Sequence, residues 1–527
     1  MSALKTVSCF SRKEPIFTFW LVFLFFSISL LSILSHEMWL DELQAWLIAR
    51  DSTSIVDLFH NLRYEGHPGL WHLNLYFISQ FTHNPTAMQF FHLIIATLSV
   101  YIFVKYSPFN KLQKILFIFG YFPLYEYNVI SRNYNLGVLF LFVFCTLFPK
   151  RSKSYTILAF LLAALANVNV YSFLISICLF LTLVLDFISN SQIRKSFQYK
   201  KQNLLISLAL LAFGYIAALI QIIPPDNAKF TGTTQIFNES NSVINTIKHL
   251  SYVLMTVWRS YVPLPNFLDY HFWNTNILIE GAGSFRVIAL LFSLCLLLFS
   301  TAIFIQKPII LFLYTSGTFA ILLFTYTKFS GYLRHHGHLF ILFIACLWLA
   351  NYYHKSYFFG KRIINFSQKL TKYKKQILTI ILYFHVFASI FAVSMDMLHP
   401  FSASKQVAQF IKNQQLDKVL IIGSRDYSLA PVSALLNQNI FYLESNSLGS
   451  FINWNQRRDL DEASFMHNLK AAVSLHSKNS IVLVLNYELY EQAYQFFDVS
   501  PLFKSSQSIV HGENYYLYLL ESKQKSN

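Results

Sequence analysis

Eleven apolar stretches run through this sequence and leave few folds open to it. They cover approximately residues 16–34, 86–104, 112–128, 133–148, 155–168, 170–188, 203–223, 286–305, 308–327, 338–353 and 377–395. A helical crossing of a bilayer takes about 20 apolar residues. Inside hydrocarbon every peptide N–H and C=O needs a partner from the protein itself, so segments of this length are helices. Of the 527 residues, 55% are hydrophobic and 13% charged, and the mean hydropathy is +0.43. That balance excludes a large soluble enzyme and predicts a polytopic α-helical membrane protein. The 54 Phe and 31 Tyr suit lipid-facing packing and interfacial belts.

The net charge of +16 would fit a nucleic-acid partner if the basic residues were clustered on one soluble face. They lie instead in short loops between the spans, which argues against nucleic acid. With a cytoplasmic N-terminus, the inner segments hold 21 Lys and Arg, from Lys5 to Lys375. The outer segments hold 8, namely Arg50, Arg63, Arg132, Lys229, Lys248, Arg259, Lys328 and Arg334. By the positive-inside rule this orientation is the expected one. An odd number of spans then places the C-terminus outside. No small-residue cleavage site follows the first span, so it reads as an uncleaved anchor. Cys145, Cys178, Cys295 and Cys346 fall in spans and Cys9 is cytoplasmic, so the outer segments have no disulfide framework.

The chemistry concentrates at the outer boundary. Asp41 and Glu42 follow the first span by a few residues, in Met38-Trp39-Leu40-Asp41-Glu42-Leu43-Gln44-Ala45-Trp46. Alone, such a pair also suits the first turn of a solvated helix, where acids favour the dipole. Beside hydrocarbon, paired carboxylates are a functional hypothesis by default. The spacing of Trp39, Leu43, Trp46, Leu47 and Arg50 predicts an amphipathic helix lying in the interface. Ser54 with Asp57 predicts a cap for a second short helix, with Ile55, Leu58, Phe59 and Leu62 inward. A third apolar piece, 69–81, is expected to stay interfacial. Within this first outer loop, 35–85, the turn Tyr64-Glu65-Gly66-His67-Pro68 offers an acid and an imidazole. Each alone more often packs or caps. Their interest is in sharing a loop with Asp41.

Topology puts more polar groups on the same side. Glu126 and Arg132 stand between spans three and four, and Arg334, His335 and His336 between spans nine and ten. A guanidinium presents a planar fork of donors matched to phosphate oxygens. Arg and His beside a bilayer are what a lipid-phosphate substrate requires, although both also snorkel to headgroups. Glu65 with His67 leaves a divalent metal open, but no Cys/His metal spacing is present.

Taken together, WLDELQAWLIARD, RYEGHPGLWHL and EYNVISRNYNLGVL resemble the GT-C superfamily of integral-membrane glycosyltransferases, and within it the protein O-mannosyltransferases and the lipid A aminoarabinose transferases. The resemblance covers roughly 15–350 and is strongest over 35–140. It implies a polyprenyl-phosphate sugar as donor and a lipid, glycan or protein as acceptor. It implies Asp41 as catalytic base, with Glu42 orienting it, and Glu65 or Glu126 as a second acid. Arg132 and Arg334 would stand at the lipid phosphate, with His67, His335 and His336 at the substrate. It also implies an inverting enzyme of a bacterial inner (cell) membrane, with its site extracytoplasmic. No counterpart of the acceptor-recognition domain of the eukaryotic mannosyltransferases is visible.

Residues 1–399 therefore read as the membrane-embedded catalytic module, in which the large outer loop 224–285 is expected to cover the site as a partly ordered loop. Residues 400–527 read as a small extracytoplasmic α/β domain. Its candidate strands are 418–423, 439–443, 480–485 and 515–520, and its candidate helices 402–414, 428–437, 459–475 and 488–497. Gly423-Ser424-Arg425 follows a strand, but the Gly-x-Gly-x-x-Gly string of a nucleotide loop is absent. Two other classes compete with the enzyme. A transporter or lipid flippase would show polar groups at the bilayer midplane and internal repeats, and neither is evident. A non-catalytic assembly subunit would tolerate Asp41→Asn.

Overall fold

A computed structural model describes residues 13–196, 200–228, 243–455, 458–475 and 480–522. Cys9, residues 229–242 of the large outer loop, and the basic residues Lys5, Arg12 and Lys229 lie outside the described residues. Among those described, eight helices are long and apolar enough to cross a membrane: Pro15–Ser35, Thr86–Tyr106, Val170–Ser189, Lys201–Ile222, Gly283–Phe304, Pro308–Thr327, Leu333–Tyr352 and Lys374–Leu398. The expected spans at 133–148 and 155–168 are shorter apolar helices, Tyr134–Lys150 and Tyr155–Ala166. The one expected at 112–128 is broken. Helix Lys111–Ile118 stops before Gly120, and a π-helical stretch, Tyr121–Val129, continues the path.

Parity ties these segments together. The C-terminal domain touches the loop after the first span, so the chain crosses an even number of times between them. Seven of the eight long helices lie in that interval. An even total then needs an odd number of further crossings among the broken segment and the two short helices, and all three crossing would give the ten that eleven spans leave between those two points. The opposite end of the bundle gathers basic loops. There Gln113 Nε2 donates to the Lys375 carbonyl at 3.3 Å, and the Lys307 ammonium reaches the Ala350 carbonyl.

Helix Leu333–Leu349 is the axis of the bundle, and every one of its residues is buried. Its early turns pass so close to the π-helical stretch that a Cβ on Gly337 would strike the Phe122 ring and the Tyr127 hydroxyl, both on buried side chains. Overpacking of this kind costs about 1–3 kcal/mol. Gly337→Ala should accordingly lower the melting temperature in detergent. An unchanged melting curve would show that these rings yield freely.

The juxtamembrane loop forms three short helices, Leu40–Asp51, Ile55–Asn61 and Leu70–Ser79. Ser54 caps the second, its hydroxyl accepting the Asp57 N–H at 3.1 Å, while Asp57 reaches back to the Thr53 N–H at 2.8 Å. Leu58 and Leu62 of the inward set are buried, but Ile55 and Phe59 are exposed, contrary to expectation. The third is only 10 residues long. The first departs further from its pattern. It is no interfacial amphipathic helix, because Glu42 through Ala49 are all buried. One flank packs on Trp71 and Leu75, and another on Ala430 and Ala434 of the C-terminal domain. A second protein surface replaces the headgroups that the sequence pattern assumed.

The C-terminal domain is a mixed six-stranded sheet. Its strands are β1 (Leu420–Gly423), β2 (Ile440–Tyr442), β3 (Ser447–Gly449), β4 (Ile481–Leu485), β5 (Phe497–Lys504) and β6 (Tyr516–Ser522), in the order β3-β2-β1-β4-β6-β5. β2, β1 and β4 are parallel, and the remaining pairings are antiparallel. Helices Ser404–Asn413 and Asp426–Leu436 cover one face and Glu462–Leu475 the other, so β4 is buried throughout. The helix expected at 488–497 is mostly irregular, because β5 takes Phe497 as an antiparallel partner for β6. The large outer loop is more regular than expected. It contains the helix Val243–Tyr261, and the segment after it packs Trp273 against Trp39 and Phe401.

Candidate functional site

The first turn of helix Leu40–Asp51 sends its two acids in different directions. Glu42 turns inward and is fully buried. Its Oε1 accepts the Ser131 N–H at 2.6 Å, and its Oε2 accepts the Trp39 N–H at 3.2 Å. Asp41 faces the boundary with its side chain 27% exposed, and it is the most open charged group of the cluster. The Leu40 N–H, one of the donors that a helix start leaves without an intrahelical partner, is taken at 3.0 Å by Glu513 of the C-terminal domain. Burial pushes the Glu513 carboxyl up to about 8.

Two arginines from distant loops meet at Asp41. Arg132 follows the π-helical stretch, and the Ser131–Glu42 bond fixes its backbone. Its Nη1 lies 3.2 Å from Asp41 Oδ2 and also reaches the Asp41 carbonyl. Arg334 opens the central helix, and its Nη2 lies 3.1 Å from the same Oδ2. The Arg334 guanidinium is caged by three rings, with its carbon 5.3 Å from Trp39, 5.2 Å from Trp273 and 4.7 Å from Tyr332. Glu126 stands behind the cage, where its Oε2 accepts the Trp273 indole N–H at 3.1 Å and the Tyr121 hydroxyl at 2.8 Å. The resemblance implies Glu126 as an alternative second acid at the substrate. In the fold it is buried and holds a wall of the cage.

A cavity of about 530 Å³ opens beside this cluster. Arg63, Glu65, His67, Tyr134, His335 and Lys328 supply its polar wall. Phe173, Leu174, Ile222, Ile223 and Phe324 supply an apolar one. His335 Nδ1 accepts the Tyr332 N–H at 2.9 Å, so Nε2 carries the proton and donates to the Tyr134 hydroxyl at 3.1 Å. Burial first, and then the charge on Arg132, hold the His67 imidazole down at about 4, neutral at ordinary pH. His336 does not line the cavity. Its Nε2 donates to the Ser330 carbonyl at 2.8 Å.

Glu65 is anchored from two directions. Its Oε1 accepts the Gln44 amide at 3.0 Å and the Trp454 indole at 3.0 Å. Burial pushes its carboxyl up to about 6, against the lowering effect of those two donors and of Arg132. A carboxyl whose folded pKa stands above its ordinary value stabilises the fold at low pH, and this contribution is lost as pH rises through about 6. Glu65→Gln keeps an oxygen for both donors and removes the charge. Its melting temperature should exceed that of the wild type near about pH 8 and approach it near about pH 5. A constant offset at both would mean that ionisation of Glu65 is not felt.

The structure thus gathers Asp41, Glu42, Glu65, His67, Arg132, Arg334 and His335 around one boundary site, with Glu126 behind it and His336 turned away. Among the described residues, no three His, Cys, Asp or Glu side chains converge as a metal site requires, and Glu65 with His67 gains no third ligand. Sequence reasoning missed Trp273, Trp454, Glu513, His36 and Asp396. The last two carried a signal, being ionisable residues immediately beside apolar spans. Lys328 and Arg63 were visible as outer cations but not as cavity walls.

No protein-family model and no curated protein matches the chain. A solved structure described as "Crystal Structure of ArnT from Cupriavidus metallidurans bound to Undecaprenyl phosphate" is similar over 94% of this chain and 97% of that chain, at 8% sequence identity and a TM-score of 0.48.

Proposed function

We propose that this chain is an integral-membrane glycosyltransferase that moves a sugar from a polyprenyl phosphate to an acceptor at the outer face of the membrane. The observation that carries this reading is the convergence of Arg132 and Arg334, which lie far apart in sequence, on the single boundary carboxylate Asp41. Such a trio holds a base for the acceptor and two forks for a phosphate.

In the proposed reaction Asp41 takes the proton of an acceptor hydroxyl or amine. The acceptor atom bonds to the anomeric carbon from the face opposite the phosphate. The anomeric C–O bond breaks with its electrons passing to the phosphate oxygen, and the polyprenyl phosphate leaves with its charge matched by Arg132 and Arg334. The anomeric centre inverts. Both arginines rest on Asp41 Oδ2. An arriving phosphate competes for them, so donor binding frees the base. Glu65, His67, Tyr134 and His335 would position sugar or acceptor from the cavity wall, with Glu42 holding the base in place.

The test is to incubate the purified full chain with a panel of polyprenyl-phosphate sugars and an acceptor extract, following donor consumption and the anomeric configuration of the product. Consumption with inversion is the expected result. A panel left intact while labelled lipid crosses proteoliposomes would favour a flippase instead.

A further inference from the structure

His36, the first residue after the membrane helix Lys13–Ser35, lies between two carboxylates and is fully buried. Its Nδ1 is 2.8 Å from Asp396 Oδ2 and its Nε2 is 3.0 Å from Glu42 Oε2. A carboxylate oxygen accepts and a neutral imidazole has only one N–H, so with both carboxylates ionised the two contacts are made at once by an imidazolium. Asp396 belongs to the last membrane helix, Lys374–Leu398. Glu42 is next to Asp41, and its other oxygen holds Ser131, the neighbour of Arg132.

We propose that His36 is a positioning residue, a charged bridge that locks Asp41 and Arg132 in register by pinning Glu42 to the last membrane helix. This rests on the reading of Asp41 as the base. The last helix, which supplies none of the groups described around Asp41, thereby becomes part of the active site at one remove. Without the bridge, two carboxylates would remain buried beside each other, and the first turn of helix Leu40–Asp51 would lose its anchor on the side away from the cavity.

The groups facing His36 are Asp396 from the last helix, Glu42 from Leu40–Asp51 and Glu37 beside it in the chain, with Lys405 beyond Glu37 and the Phe401 ring 4.7 Å away. Tyr125, on the π-helical stretch, faces Asp396. Burial alone would lower the imidazole pKa. The charges on Asp396 and Glu42 outweigh burial and raise it to about 10. The bridge is therefore complete below that pH and is lost as pH rises through it. Removing one carboxylate moves the loss to lower pH.

The discriminating variant is Asp396→Asn, assayed for transfer across pH beside the wild type and Asp41→Asn. Its kcat should fall progressively as pH rises, on a limb that in the wild type begins only near about pH 10. One unit above the new midpoint about a tenth of the imidazole stays charged, so the expected loss there is about tenfold. The apparent KM for donor should move much less than kcat, because the ring cage holds Arg334 independently. His36→Gln should be slow at every pH with no such limb, and it serves as the test if Asp396→Asn does not fold. A profile for Asp396→Asn that superimposes on the wild type after scaling, or wild-type turnover in His36→Gln at alkaline pH, overturns the proposal. If Asp41→Asn itself transfers normally, the reading of the site has failed and this proposal goes with it. If Asp41→Asn is dead but the profiles coincide, only the role of His36 has failed.

Discussion

Asp41→Asn is expected to lose transfer by about a hundred- to ten-thousandfold, the range a general base supplies, while binding a polyprenyl phosphate at least as tightly as the wild type. The two halves of this expectation come from one geometry. Asp41 Oδ2 neutralises both Arg132 and Arg334. An asparagine cannot take the acceptor proton, and it leaves both guanidinium groups free for a phosphate. A purely structural carboxylate would behave differently, because losing it would weaken binding and turnover together. The measurement is polyprenyl-phosphate affinity alongside single-turnover transfer. Near wild-type transfer removes Asp41 as the base. Strongly weakened lipid binding removes the competition between Asp41 and phosphate.

Arg334→Ala is the second large effect. This guanidinium is 7% exposed, against 12% for Arg132, and it has three aromatic rings around it. A charge-assisted hydrogen bond is worth roughly 1.5–3 kcal/mol, so its loss should cost about ten- to a hundredfold in kcat/KM, with a raised KM for donor. Arg132→Ala should fall in the same range but nearer its lower end, since water reaches that site more readily. The two differ most in rescue. Lysine at 334 keeps the charge but offers no plane to lie against Trp39, Trp273 and Tyr332, and its more strongly hydrated ammonium suits a dry cage poorly. Lysine at 132 should restore more. Equal rescue at both positions would mean that the cage contributes only bulk.

The membrane architecture was legible in the sequence because the bilayer imposes one rule on every span. The positions of Asp41, Arg132 and Arg334 on a common side followed from counting crossings. Their meeting at one oxygen did not, because span parity specifies a side and not a distance. The span expected at 112–128 is in fact broken, and its apolar composition hides the stop before Gly120. Helix Leu40–Asp51 departs from its pattern for a related reason. Periodicity reports that one face is apolar, but buried Glu42 and Gln44 look polar in sequence and become interior only when Ser131 and the Ile452 backbone supply partners at 2.6 Å and 2.9 Å. Glu126 is a candidate through its side of the membrane and the family resemblance, and no local pattern reveals that Tyr121 and Trp273 hold its Oε2.

The docking of Ala430 and Ala434 onto helix Leu40–Asp51 also sets an order of events for a nascent chain. The helix that carries Asp41 emerges early, yet the surface that buries it is encoded almost 400 residues later. Contacts of such long sequence separation form late, after the loop between them has closed. Until residues 400–522 have been translated, delivered to the same side and folded, Trp46 and Leu47 lack one of the surfaces that cover them, and the donor that anchors Glu65 from Trp454 is missing. A half-made chain would thus sit in the bilayer with its arginines and its carboxylate present but without the surface that covers the carboxylate's helix.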